Sequence, residues 1–145
     1  MAADRMDRKE FLSLLGLGAA AMTCSYFLAG CTPNSSNLIT APPTNVDFTL
    51  NLTDPANAAL KNNGGYIYQN GIIVARTING DYVAVSQTCT HQGGTVYYDK
   101  AGNEFHCPVH GSNFATNGSV INGPAASPLM KYSTSLSGTS LRVYS

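Results

Sequence analysis

The feature that most constrains this chain is a pair of short loops carrying metal-binding side chains. The first reads Cys89-Thr90-His91-Gln92-Gly93-Gly94 and the second Cys107-Pro108-Val109-His110-Gly111-Ser112, with the fifteen residues from Gln92 to His106 between the two pairs. Each loop supplies one thiol and one imidazole, so together they make a four-ligand set. The chain has four Cys and three His in all, and outside the loops stand only Cys24, Cys31 and His106. Whatever fold forms must bring the two loops to one place.

Three fates are open to these four side chains. Thiolate and imidazole suit zinc, which takes two Cys and two His in closed tetrahedral sites. They also suit a two-iron cluster in which His replaces Cys on one of the irons. Alternatively, Cys89 and Cys107 pair as a disulfide, ordinary in an oxidising compartment. Spacing bears on the choice: zinc fingers group two Cys together and two His together, whereas each loop here is mixed, Cys-x-His and then Cys-x-x-His. A mixed loop suits a bimetallic centre, because it can send its thiol to one iron and its imidazole to the other. Gly93, Gly94 and Gly111 permit close backbone approach and positive φ, and Pro108 stiffens the second loop.

Cys107 to Ala125 reads CPVHGSNFATNGSVINGPA. This resembles the Rieske family of [2Fe–2S] proteins, which typically show CPxHGxxF, a turn with Gly, and a Gly-Pro-Ala loop. The resemblance covers about the last hundred residues and is most specific from Cys89 to Ala125. It implies one [2Fe–2S] cluster, with Cys89 and Cys107 on an inner iron and His91 and His110 on an outer one. It also implies that Gly123, Pro124 and Ala125 cover the cluster's third side. Quinol-oxidising members carry an extra Cys in each loop, joined as a disulfide; Gly94 and Val109 stand at those positions, so that brace is absent. Phe114 replaces a Tyr that donates to a ligand sulfur, while Ser112, after Gly111, is retained as a donor. Hydrogen bonds to sulfur stabilise the more negative reduced state, so one donor of two implies an intermediate potential.

The chain has 145 residues, enough for one domain, and a formal net charge of zero. No basic stripe offers itself to nucleic acid. Asp4 to Glu10 is charged, and Phe11 to Gly30 is an uncharged run rich in Leu, Ala and Gly. Residues 1–30 therefore read as a signal peptide or a membrane anchor. Leu28-Ala29-Gly30-Cys31 resembles a bacterial lipobox, with lipid on Cys31; Arg8-Lys9-Glu10-Phe11-Leu12 resembles a twin-arginine export signal. Residues 31–45, with Pro33, Pro42 and Pro43, read as a flexible linker.

From Val46 the pattern predicts strands. Val46, Phe48, Leu50 and Leu52 alternate with polar residues, and Ala56 to Leu60 makes room for one helical turn. Asn70-Gly71 signals a hairpin between Tyr66–Tyr68 and Ile72–Thr77. Tyr82–Val85, Thr95–Tyr98, Glu104–His106, Leu129–Leu136 and Thr139–Tyr144 follow, with a further turn at Asn117-Gly118. The fold class is all-β: a small antiparallel β-sandwich over 46–145 with an inserted cluster-binding subdomain at about 86–125, preceded by the signal or anchor segment. His106 is expected to be satisfied or exposed rather than a fifth ligand.

Together these features imply a membrane-tethered electron-transfer protein on the outer side of a bacterial cytoplasmic membrane. Its partner would be a redox protein or a quinol-oxidising complex. An iron–sulfur subunit of a cytochrome bc-type quinol oxidoreductase is the alternative, and a zinc- or disulfide-stapled binding module is the third. A Rieske oxygenase is excluded by counting, since its second iron needs two His and a carboxylate and only His106 is left over. No independent catalytic site is legible.

Overall fold

The computed structural model describes residues 40–145. The expected leader or anchor over 1–30, Cys31 and most of the 31–45 linker lie outside the described residues. Ten strands follow in order: β1 (Asp47–Asn51), β2 (Tyr66–Gln69), β3 (Ile72–Arg76), β4 (Tyr82–Ser86), β5 (Tyr97–Asp99), β6 (Glu104–His106), β7 (Asn113–Ala115), β8 (Val120–Asn122), β9 (Lys131–Ser137) and β10 (Ser140–Tyr144). A 3-10 helix, Pro55–Lys61, joins β1 to β2. Asp54 starts it, accepting a hydrogen bond from the Ala56 N–H at 2.9 Å, with Pro55 where a missing N–H costs nothing.

Two antiparallel sheets result, one of six strands in the order β1-β10-β9-β4-β3-β2 and one of four in the order β5-β6-β7-β8. In the first, β9 pairs with β4 through Lys131 and Tyr132 and with β10 from Ser133 onward. The halves on either side of β9 close on one core made of Val46, Leu50, Leu60, Ile72, Val74, Ala84, Tyr132, Leu141 and Val143. That is the expected sandwich, formed by one sheet folding over. The alternation read in β1 holds, with Leu50 buried and Asp47, Thr49 and Asn51 exposed.

Strand β3 does not alternate, because both of its faces are covered. Ile72 and Val74 enter the sandwich core, while Ile73 and Ala75 turn the other way into a second core. That second core holds Val85, Cys89, Val96, Tyr98, Phe105, Cys107, Phe114, Ala125 and Leu129. The four-stranded sheet is thereby packed on the outside of β3 and β4. Its strands have three residues each; Thr95, expected to open β5, makes only an isolated bridge to Thr88.

Tight turns join the strands where the sequence placed them. Asn70 and Gly71 both have positive φ, 52° and 80°, the pattern of a two-residue hairpin turn matched to strand twist. Strand β3 and its partners run so that the β2–β3 turn lies at the same end as the first ligand loop: the Gln87 N–H donates to the Gly71 carbonyl at 3.1 Å.

Candidate metal centre

The two ligand loops share one backbone design. In the first, the Cys89 N–H donates to the Gly94 carbonyl at 2.7 Å, and the Cys89 carbonyl accepts from the Gly93 N–H at 3.0 Å. In the second, the Cys107 N–H donates to the Ser112 carbonyl at 2.8 Å, and the Cys107 carbonyl accepts from the Gly111 N–H at 2.9 Å. Gly93 and Gly111 occupy the equivalent corner with φ of 77° and 79°, a conformation that side chains resist. The loops differ in where the imidazole hangs, two residues after the first cysteine and three after the second.

The four side chains sort into two pairs. Cys89 and Cys107 are free thiols buried in the second core. His91 is half-buried and His110 exposed, with their rings perpendicular at 4.8 Å between centroids and their Nδ1 atoms 3.3 Å apart. Among the described residues, no three His, Cys, Asp or Glu side chains converge on one metal position. The set is thus a pair of thiols and a pair of imidazoles, and nitrogens bound to one tetrahedral ion at ~2.1 Å each stand about 3.4 Å apart, close to what the imidazoles show. Burial pushes the Cys89 thiol pKa up, the backbone N–H of His91 pulls it down, and the neighbouring Cys107 thiol raises it again. A bound cation would offset this cost by taking the thiolates.

A third segment closes the site. The Ala125 N–H donates to Ser112 Oγ at 2.9 Å, and Thr90 Oγ1 donates to the Ser127 carbonyl at 2.6 Å. Asn122 Nδ2 donates to the carbonyls of both Gly111 and Gly123, each at 3.1 Å; Pro124 follows Gly123 through a cis peptide bond. Ser112 is fully buried and keeps its hydroxyl proton for another acceptor. Phe114 is fully buried beside the thiols and has nothing to donate. Gly94 is needed for space: a Cβ there would stand 2.6 Å from Val109 Cγ2 and 3.1 Å from Cys107 Sγ. The two positions compared with the family's loop disulfide thus touch, in a contact that one methyl group already fills.

His106 stays out of the constellation, with Nδ1 against Asn113 Oδ1 and its ring tilted over Tyr97 at 5.3 Å. Thr90 and Asn122 were missed by sequence reasoning. Thr90 reaches the Ser127 carbonyl and Asn122 the Gly111 carbonyl, each across the chain, a relation that no local spacing signals. No charged residue occurs in 87–98 or 105–130, so the loop surface is neutral apart from what it binds.

The description "Rieske [2Fe-2S] domain" belongs to the family profile matching residues 54–133, over half of the chain. The cytochrome b6-f complex iron-sulfur subunit of Chlorobaculum tepidum is 37% identical over 73 residues, which cover 49% of this chain and 40% of that relative's length. The subunit of the same name from Prochlorococcus marinus strain MIT 9515 is 29% identical over 139 residues, covering 83% of this chain and 74% of its own. Among solved structures, the cyanobacterial plasma membrane Rieske protein PetC3 from Synechocystis PCC 6803 superposes with a TM-score of 0.52 at 37% identity, over 61% of this chain and 93% of that one. Fold, loop pattern and family match agree, and the chain belongs to the Rieske family, whose domains bind a [2Fe–2S] cluster.

Proposed function

We propose that this chain is a one-electron carrier holding a single [2Fe–2S] cluster, with Cys89 and Cys107 on the buried iron and His91 and His110 on the outer one. The observation that supports this most is the sorting of the four side chains into two buried thiols and an imidazole pair, one half-buried and one exposed. When bound, a Rieske-type cluster supplies a one-electron couple, at about −150 to +300 mV across the class. The protein's part is to exclude water from the sulfur side with Phe105, Phe114 and Leu129. It leaves an imidazole edge open as the route to a partner. Gly111 and Ser112, with Gly123 and Pro124, shape the enclosure, and Ser112 is the side-chain donor available to sulfur.

The same reading tethers the domain, 46–145 with its cluster lobe at about 86–125, outside a bacterial cytoplasmic membrane. Residues 1–30 serve as signal or anchor, 31–45 as spacer, and Cys31 carries lipid if the leader is cleaved. Among the described residues, no helix is long and apolar enough to cross a membrane; the proposed attachment uses the segment before them. A plasma-membrane location in the name of one relative supports this. Mass spectrometry of membrane-extracted protein tests it: a lipid-modified Cys31 at the N-terminus is the expected product, and an intact leader would replace lipid with a helix anchor.

A second reading, an iron–sulfur subunit of a cytochrome bc-type quinol oxidoreductase, is favoured by the names of the relatives. Copurification with a b-type cytochrome and a high potential would select it. Electron paramagnetic resonance with redox titration of the chain from Cys31 onward tests both readings at their root. A reduced-state signal of a mixed His/Cys two-iron cluster is expected; a colourless protein holding zinc and no inorganic sulfide overturns them.

A further inference from the structure

Besides ligands, a centre of this kind needs something to hold each imidazole's loop in register with the rest of the site. The second loop ends at Gly111, next to His110, and the covering segment begins at Gly123. Among the described residues, no backbone N–H reaches the carbonyl of either glycine. The Asn122 carboxamide reaches both, at 3.1 Å each. Only its nitrogen can serve two carbonyl acceptors, and its two hydrogens are both used in doing so. Among the described residues the first loop has no such clamp; its hydrogen bond to the covering segment runs from Thr90 to Ser127.

We infer that Asn122 is a positioning residue for His110: its amide bridges the ligand loop and the covering segment, and so fixes the spacing of the imidazole pair. The inference rests on the proposed cluster ligation. His110 itself is exposed, and among the described residues its ring nitrogens meet only His91, so its placement depends on the backbone that carries it. Asn122 lies on β8, whose pairing with β7 shifts register between Asn113 and Phe114, which brings the end of β8 to the loop.

The test uses full-length chain carrying its cluster. Asn122→Asp keeps the shape and removes both donors; Asn122→Ala removes the side chain without adding charge. Both are expected to broaden the reduced-state paramagnetic resonance lines, and both should release iron to a chelator roughly three- to tenfold faster, the size of one or two neutral hydrogen bonds. Ile121→Thr, on the neighbouring exposed position, is expected to change neither. Hydrogen-exchange protection in β3 and β4 should stay at the wild-type level in all three. Loss of that protection would make Asn122 a general folding residue and overturn the inference. So would a loaded wild type whose lines and iron-release rate match those of both Asn122 variants. A wild type that takes up no cluster overturns the underlying ligation as well.

Discussion

The six-stranded sheet and the four-stranded lobe are built on different principles. The sheet uses strands of four to seven residues and a core of aliphatic side chains and Tyr132, each able to contribute about 1.5–3 kcal/mol on burial. The lobe uses three-residue strands, and two thiols stand among its core residues. Its ends are set by ligand loops and a covering segment rather than by long ladders. The sheet therefore has reason to fold for its own burial, while the lobe is finished by what it binds.

The largest effect should come from Cys107→Ser. It is expected to abolish the cluster's visible absorption and to strip hydrogen-exchange protection from β5 to β8, leaving β3, β4, β9 and β10 protected. Protection lost equally from both sheets would break the contrast. Core truncations sharpen it next. Leu141→Ala and Phe105→Ala, both fully buried, should cost ~2–5 and ~3–5 kcal/mol respectively. In urea, Phe105→Ala should lose visible absorption before its far-ultraviolet signal, whereas in Leu141→Ala the two should fall together; coincident loss in both variants would count against a separable lobe.

A smaller effect is confined to the lobe. Ser112→Ala removes the one buried hydroxyl on the second ligand loop and should lower the reduction potential by roughly 40 mV, the equivalent of about 1 kcal/mol for one electron. Voltammetry checks it, and an unchanged value would mean that the hydroxyl faces only Ala125. The smallest effect concerns Tyr68, which joins the two regions by donating to the Val96 carbonyl at 2.9 Å. Burial, then Tyr66 beside it, push the Tyr68 pKa up from 10.0 to about 12. The folded state keeps the proton longer than the unfolded state, so this stabilisation is intact below pH 10 and drains away as pH rises toward 12. Tyr68→Phe should flatten that part of a stability–pH curve; a curve parallel to the wild type would refute it.

Much of this was legible in the sequence because it is local. Asn70-Gly71 and Asn117-Gly118 announced turns through residues whose preferences do not depend on neighbours. The mixed loops suited a two-metal site by their spacing, and the resemblance of Cys107 to Ala125 to the Rieske family pointed to its cluster. Strands β7 and β8 were not read although the Asn117-Gly118 turn between them was; β5 and β6 are as short, three residues each, and showed themselves only through the turn they flank. The two-faced burial of β3 was hidden for another reason: only a lobe inserted far along the chain covers its second side. The matched hydrogen bonding of the two loops was also missed, because their imidazoles sit at different offsets and mask the common frame.

The contact between Gly94 and Val109 has a consequence for how such a site can change over generations. A side chain at 94 has room only once the side chain at 109 has turned away or been pared back, and even then it would stand close to the Cys107 thiol. The size of one residue therefore limits the other, and the two positions are expected to vary as a pair, a larger residue at 94 calling for a smaller or reoriented one at 109.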